Sequence, residues 1–310
     1  VSASVSSDLL DLTASLVAIP SLSHHEGQLA DAVEAALRLC PWLAVDRVGD
    51  NVVARTDLGR ASRLLLAGHL DTVPPAAGND HPRLDGDTLY GLGAADMKGG
   101  LATFLHLAGT IPEPAVDVTW CFYAREEVAR RDSGLEELWQ QRPDLLAGDA
   151  AILGEPTGGV VEAGCQGTMR IRVAMAGERA HTARPFTGRN AIHRLGPVLD
   201  AIAAYPVRRV VIDGCEYAEQ LQAVLIEGGV ANNVVPDQAV VMINHRFAPD
   251  REATEAEGSV RSWLEASLEP ADSWEVVEAV AGAPPSLGDP QLARLVTATG
   301  AAPRAKVGWT

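Results

Sequence analysis

Leu64-Leu65-Leu66-Ala67-Gly68-His69-Leu70-Asp71-Thr72-Val73-Pro74 passes from an unbroken apolar run into a histidine and an acid two residues apart. An apolar run of strand length, opened by Arg63, suits a strand buried on both faces, because neither side meets water. Such strands sit in sheets with helices packed over them, and the flanking sequence supplies those helices. Upstream, residues 7–19 and 26–39 carry helical apolar spacing (Leu9, Leu12, Leu16; Leu29, Val33, Ala36, Leu37) and are closed by Pro20 and Pro41. Strands are expected over 43–48 and 51–56. Downstream, a helix is expected over 99–107 behind a glycine-rich turn, a strand over 116–124, a helix over 134–141 and a short strand over 150–153. Strands alternating with helices predict an α/β domain around a mixed, mostly parallel sheet.

Past residue 163 the pattern changes. Residues 168–176 alternate like a half-exposed strand, 191–204 read as a helix, 221–227 and 239–244 as strands, 252–268 as an amphipathic helix and 274–279 as a strand. The order β-α-β-β-α-β is that of a ferredoxin-like α+β sandwich. A second domain is therefore expected over 164–281, inserted into a first domain made of 1–163 and 282–310. The Pro/Gly-rich stretch 281–287 leads back to that first domain.

Composition narrows the partners. A chain of 310 residues with 47% apolar content can bury a sizeable core. A formal charge of −16 repels a phosphate backbone and argues against nucleic-acid binding, while a local arginine cluster can still take a small anion. Apolar runs fall short of the ~18 residues of a membrane span, and Asp8 and Asp11 stand where a secretory signal needs basic residues. Cys40, Cys121, Cys165 and Cys215 are scattered, without a Cys-x-x-Cys pair, as reduced thiols of a cytoplasmic protein would be.

Four acidic or imidazole motifs follow four chain segments. In the opening stretch, His69 and Asp71 lie on one side of an extended chain, and a metal-binding imidazole commonly needs a carboxylate to orient it. Gly91-Leu92-Gly93-Ala94-Ala95-Asp96-Met97-Lys98-Gly99-Gly100 brings an acid inward on a flexible turn; lacking Gly-x-Gly-x-x-Gly, it is not a dinucleotide loop. Arg125-Glu126-Glu127-Val128 sets two carboxylates at a strand end, where one can bind a metal while the other moves a proton. Leu153-Gly154-Glu155-Pro156-Thr157 adds another acid past a short apolar strand. Each alone reads equally as a turn or a solvated charge. Together they converge on the carboxyl ends of strands, where α/β sheets gather ligands.

These motifs resemble the di-zinc aminoacylase/carboxypeptidase family. Leu153 to Thr157, Glu162-Ala163-Gly164-Cys165-Gln166-Gly167-Thr168 and Asn244-His245-Arg246-Phe247-Ala248-Pro249-Asp250 are similar to its desuccinylase branch in the actinobacterial form. The resemblance covers essentially the whole chain. It implies a zinc-peptidase-like catalytic domain and an inserted lid and dimerisation domain. It further implies two zinc ions (cobalt or manganese as substitutes), with Asp96 bridging, His69 and Glu155 on one metal, and Glu127 on the other. Asp71 would orient His69, and Glu126 would be the general base. Ala180-His181-Thr182-Ala183-Arg184-Pro185 resembles the lid histidine motif, which gives His181 a role at the reacting carbonyl. Asn232, Asn233 and Arg246 match lid segments that bind substrate, and Arg184 can serve likewise.

None of the eight histidines follows His245, although the family pattern supplies a last zinc ligand from a later segment. One metal site would then have only Glu127 and the Asp96 bridge, with weak occupancy and reduced hydrolysis. The expected reaction is hydrolysis of N-succinyl-LL-2,6-diaminopimelate in a cytoplasmic homodimer, without nucleic acid or membrane. Acetylornithine deacetylase or another N-acyl amino acid hydrolase is the near alternative. A binding or dimerisation protein that has lost one metal site is the alternative of another class.

Overall fold

A computed structural model describes residues 8–76, 78–79, 81–300 and 302–307, so Ser7 at the start of the first expected helix, and Gly308 to Thr310, lie outside the described residues. The chain divides into two compact units, one up to Gly159 and one from Val160.

In the first unit, α1 (Leu9–Val17) starts where the Asp8 side chain accepts the Leu10 amide at 2.8 Å, satisfying a donor that has no partner inside the helix. Its buried residues include Leu12 and Leu16, and α2 (Gly27–Arg38) buries Leu29, Val33 and Leu37. The strands β1 (Ala44–Val48) and β2 (Asn51–Arg55) form a hairpin through Gly49, whose φ of 55° favours glycine. Then come β3 (Arg63–His69), a small hairpin of β4 (Arg83–Asp85) and β5 (Thr88–Tyr90), α3 (Gly99–Thr110), β6 (Asp117–Tyr123), α4 (Gly134–Gln141) and β7 (Ala150–Leu153).

The main sheet runs β1-β2-β6-β3-β7. β3 is parallel to both β6 and β7, whereas β1–β2 and β2–β6 are antiparallel. The sheet is therefore mixed, with β1, β6, β3 and β7 running one way and β2 alone reversed between β1 and β6. Central β6 is buried along its whole length. Leu12, Leu16, Leu29, Val33, Leu101 and Leu105 from α1, α2 and α3 pack with Leu66, Trp120 and Phe122, each fully buried leucine contributing about 2 kcal/mol. Val53, Ala67, Cys121 and Tyr123 form a separate cluster with Leu138 of α4 and Leu145. Since β3, β6 and β7 run the same way, their carboxyl ends fall together at one sheet edge.

Asp117 anchors the other end of β6. Its Oδ1 accepts Thr56 Oγ1 and the Leu58 amide, and its Oδ2 accepts the Arg60 amide, all at 2.8 Å. Burial works against the carboxylate, but these hydrogen bonds and nearby Arg63 hold it below the usual carboxylate range. Asp117→Ala leaves those donors without their acceptor and should cost about 3 kcal/mol in urea unfolding. A folded-state pKa below the unfolded value stabilises the fold above the unfolded pKa, so the loss should shrink as acid takes the pH down through the depressed value. A variant as stable as the parent at pH 7 would contradict this account.

The second unit contains β8 (Glu162–Ala163), β9 (Gly167–Ala176), β10 (Ala180–His181), α5 (Ala191–Ala203), β11 (Arg209–Ile212), β12 (Cys215–Ala218), β13 (Gln220–Gly228), β14 (Val234–Val235), β15 (Gln238–Phe247), α6 (Ala253–Leu264), β16 (Ser273–Val280), α7 (Pro290–Thr299) and β17 (Arg304–Ala305). Its four-stranded sheet, β13-β15-β9-β16, is antiparallel throughout. Leu195, Val198 and Ile202 of α5 and Val260 and Leu264 of α6 pack on Ile171, Val173, Val241 and Ile243. Residues 282–310, expected with the first domain, fall in this unit: Ala283 bridges Cys165, and β17 pairs parallel with β8. Among the described residues no helix is long and apolar enough to cross a membrane, and none of the four cysteines is in a disulfide.

Candidate metal centre

His69, the last residue of β3, is buried. Its Nδ1 lies 3.0 Å from the main-chain oxygen of Asp71, so Nδ1 donates there and Nε2 is left for the carboxylates opposite. Nε2 stands 3.0 Å from Asp96 Oδ1 and 3.9 Å from Glu155 Oε1. Burial opposes a charged ring, yet Asp71, Glu155 and Glu126 together push the His69 pKa up to about 9. A metal taking this nitrogen therefore displaces a proton.

The spacing of His69 and Asp71 leads one to expect a carboxylate orienting the imidazole. The main-chain carbonyl of Asp71 makes the hydrogen bond instead, with the carboxylate 3.6 Å from Nδ1. That carboxylate has other work. Its Oδ1 accepts the Glu126 amide at 2.9 Å, and its Oδ2 accepts the Glu127 amide at 3.0 Å and the Ser23 hydroxyl at 2.7 Å. Burial alone would raise its pKa, but the neighbouring His69 ring and these donors hold it low. One buried acid thus ties the end of β3 to the segment that follows β6.

Asp96 comes from the turn ahead of α3, where the Asp96–Met97 peptide is cis. The fully buried Met97 receives the His69 amide on its sulfur at 3.2 Å. A Cβ at Gly68 would stand 2.5 Å from Met97 Cε, one at Gly154 2.7 Å, and one at Gly100 2.9 Å. Three glycines, ending β3, following β7 and opening α3, thus make the recess that seats the Asp96 turn. Lys98, for which a carboxylate partner is the simplest expectation, instead donates to Leu16 O at 3.2 Å and Ile19 O at 2.7 Å. It closes the carboxyl end of α1, and burial pushes its pKa down to about 8.

One ligand atom each from His69, Asp96 and Glu127 lies within 4.8 Å of the others. Glu155 approaches this set through His69, and Glu126 lies outside the trio. Burial, reinforced by Glu155, Glu127 and Asp71 and opposed by His69, pushes the Glu126 carboxyl up to about 7. Glu127 is also raised, by burial and then by Asp96. Asp71, Asp96, Glu126, Glu127 and Glu155 thus face a single imidazole, an excess of negative charge that a divalent cation relieves. The mixed nitrogen and oxygen donors suit zinc, cobalt or manganese.

In the second unit, β10 pairs with β14 so that His181 lies opposite Val234, Thr182 N donates to Asn233 O at 3.0 Å, and Arg184 N donates to His181 O at 2.7 Å. His181, Arg184, Asn232 and Asn233 are exposed in this one patch, and His181 Nδ1 accepts the Ala183 amide at 3.0 Å. Arg246 is half-buried on β15, opposite Thr168 of β9 and Gln220 of β13. Reading the sequence singled out none of Ser23, Met97 or the three glycines as a group. Their connection is purely tertiary, and only the glycine flanking each motif hinted at close approach.

The description Peptidase family M20/M25/M40 matches residues 65–307. A Mycobacterium tuberculosis protein provisionally named succinyl-diaminopimelate desuccinylase is 52% identical over 98% of this chain and 85% of its own length. The succinyl-diaminopimelate desuccinylase of Corynebacterium glutamicum is 46% identical over 98% of this chain and 84% of its own. Among solved structures, aminopeptidase PepT from Bacillus cereus is similar with a TM-score of 0.77 at 18% identity, over 97% of this chain and 84% of that one. The Bacillus subtilis YXEP protein, described as a dinuclear metal-binding peptidase of the M20 family, gives 0.67 at 15% identity over 97% and 82%.

Proposed function

This chain belongs to peptidase family M20/M25/M40, and on that footing we propose that it hydrolyses the amide bond of N-succinyl-LL-2,6-diaminopimelate to succinate and LL-2,6-diaminopimelate. It is a metal-dependent amidohydrolase. The substrate rests on one observation, identity to desuccinylases along almost the entire chain, since the solved structures are too distant to speak for more than the fold.

His69, Asp96, Glu127 and Glu155 would hold the metal, zinc in this reading. When bound, the metal supplies Lewis acidity that polarises the amide carbonyl and lowers the pKa of water. Glu126 takes the proton of the attacking water as it adds to the carbonyl carbon, then hands it to the departing nitrogen. Its elevated pKa suits both halves of that transfer near neutral pH. Asp71 holds the amides of Glu126 and Glu127 and, through its carbonyl, the tautomer of His69. His181 is assigned to the carbonyl oxygen: with Nδ1 occupied by the Ala183 amide, a neutral ring carries its proton on Nε2 as a donor. Arg246, Arg184, Asn232 and Asn233 are assigned to the substrate's polar groups, a guanidinium matching a carboxylate bidentately.

Residues 164–281 are read as the family's inserted, ferredoxin-like lid and dimerisation domain. Support for a homodimer comes from edge strand β13, where Val224, Leu225 and Ile226 are exposed, with Val230 and Ile192 exposed as well. Apolar residues on an open edge usually meet a second chain. Four cysteines outside any disulfide, three of them buried, support the reading of a cytoplasmic setting.

The test is competition between acyl groups with zinc present. The protein should favour succinyl-diaminopimelate over acetylornithine by at least about tenfold in kcat/KM, the effect of one charge-assisted hydrogen bond of ~1.5–3 kcal/mol to the succinyl carboxylate. Preference for acetylornithine would move the assignment to the deacetylases.

A further inference from the structure

Beyond Tyr123 both neighbouring strands stop pairing with β6, yet the chain there is not free. Four successive amides each donate to a side-chain oxygen. The Ala124 amide meets Asn51 Oδ1 at 2.9 Å, the Arg125 amide meets Glu26 Oε1 at 3.0 Å, and the Glu126 and Glu127 amides meet the two Asp71 oxygens at 2.9 and 3.0 Å. The acceptors come from the start of β2, the residue ahead of α2, and the loop after β3. Arg125 has a φ of 60°, a left-handed conformation that a non-glycine residue adopts only at a cost. That bend separates the directions of Glu126 and Glu127 from the line of β6.

Glu26 is the unexpected member. A glutamate ahead of a helix normally lies in water, and here it is fully buried. Its side chain does not cap α2. Instead Oε1 accepts two main-chain amides, Arg125 at 3.0 Å and His24 at 3.1 Å, while among the described residues Oε2 has no hydrogen-bond partner. Burying a carboxyl group is costly unless its bonds repay the loss of water. The compensation here goes to the amides of two left-handed residues, His24 and Arg125, the second of them beside the proposed base and metal ligand. Burial also pushes the Glu26 carboxyl above its usual range, against the pull of the amides it accepts.

We propose that Glu26 is a positioning residue for hydrolysis: by holding the Arg125 amide it fixes the left-handed bend that sets Glu126 for proton transfer and Glu127 for the metal. This rests on the roles given to Glu126 and Glu127 above. What the position requires is an acceptor oxygen at Oε1, which glutamine also supplies and leucine does not.

The experiment compares the parent with Glu26→Gln and Glu26→Leu in zinc affinity, measured with zinc ion alone, in kcat and KM on succinyl-diaminopimelate, and in urea unfolding. Glu26→Gln should stay within about threefold of the parent in zinc affinity and kcat, since it keeps an acceptor oxygen at that position. Glu26→Leu should bind zinc roughly 10–100-fold more weakly, the usual effect of losing support for a ligand. Its kcat should fall by about 10–100-fold with little change in KM, as a misaligned proton-transfer group does. A folded Glu26→Leu with parental zinc affinity and kcat overturns the proposal, and so does a Glu26→Gln as damaged as the leucine variant. If Glu26→Leu does not fold, Glu26→Ala takes its place; failure of both to fold assigns Glu26 to stability and overturns the positioning role. A parent that does not cleave succinyl-diaminopimelate refutes the substrate reading alone, because the zinc comparison still decides the role of Glu26.

Discussion

Replacing Glu126 with glutamine should lower kcat by about 10³-fold, within the ~10²–10⁴ range of a general acid–base group, while zinc affinity changes only a few-fold. The contrast follows from the geometry: Glu126 lies outside the His69–Asp96–Glu127 trio, yet its amide is fixed by Asp71 in the same cluster. The pH dependence follows as well. Glu126 must be unprotonated to accept a proton from water, so kcat/KM should climb tenfold per unit on the acid side of its titration. In the metal-free cluster burial sets that titration near 7, and bound cations draw it lower. The glutamine variant should lose this acid limb. Turnover within tenfold of the parent, or an unchanged acid limb, would remove Glu126 from the proposed reaction.

His69→Ala should act first on metal. Losing the one nitrogen donor of the His69–Asp96–Glu127 trio should weaken zinc binding on the order of 10³-fold, with hydrolysis falling in step. His69 also sets an imidazole among Asp71, Asp96, Glu126 and Glu155, and its ring bonds to the main-chain oxygen of Asp71. Hence the metal-free variant should also lose stability near neutral pH, where the parent ring is protonated. Its folded pKa lies above the unfolded value, so this term is complete below about 6.5 and disappears as the pH rises through about 9. Zinc titration followed by unfolding of the chelated proteins checks both parts. Parental zinc affinity in His69→Ala would show that the metal, if held, sits elsewhere.

His69, Asp96, the Glu126–Glu127 pair and Glu155 were legible as a convergent set because each stands next to a recognisable element boundary or glycine turn. Apolar periodicity likewise located β3, β6, β9 and the helices α2 and α5, since burial on one face writes a period into the chain. The hairpins β4–β5 and β11–β12 and the helix α7 left too few apolar residues to write one. The position of β2 between β1 and β6 was not legible, because the hairpin through Gly49 carries no mark of which further neighbour β2 will choose. Glu26 and Asn51 escaped because a side chain accepting an amide from a distant segment leaves no pattern near itself. Glu26 looked like an ordinary helix start, and only the folded chain brings it to Arg125.

The recess around Met97 bears on how this sequence can change. Gly68, Gly100 and Gly154 offer no side-chain ligand atom; the Met97 methyl is what a side chain would meet first at Gly68 and Gly154, whereas at Gly100 it is the Gly154 main-chain oxygen at 2.5 Å. Alanine at Gly68 or Gly154 should be harmful with methionine at 97 and better tolerated when that side chain is shortened, whereas no such partner change makes room at Gly100 or restores a lost His69 or Asp96. In a mutational scan the glycines and the ligands would look equally intolerant one at a time. Pairs would separate them: Gly68 and Gly154 show strong epistasis with position 97, so that a lineage crossing this part of the protein must alter the methionine before, or together with, these two neighbours.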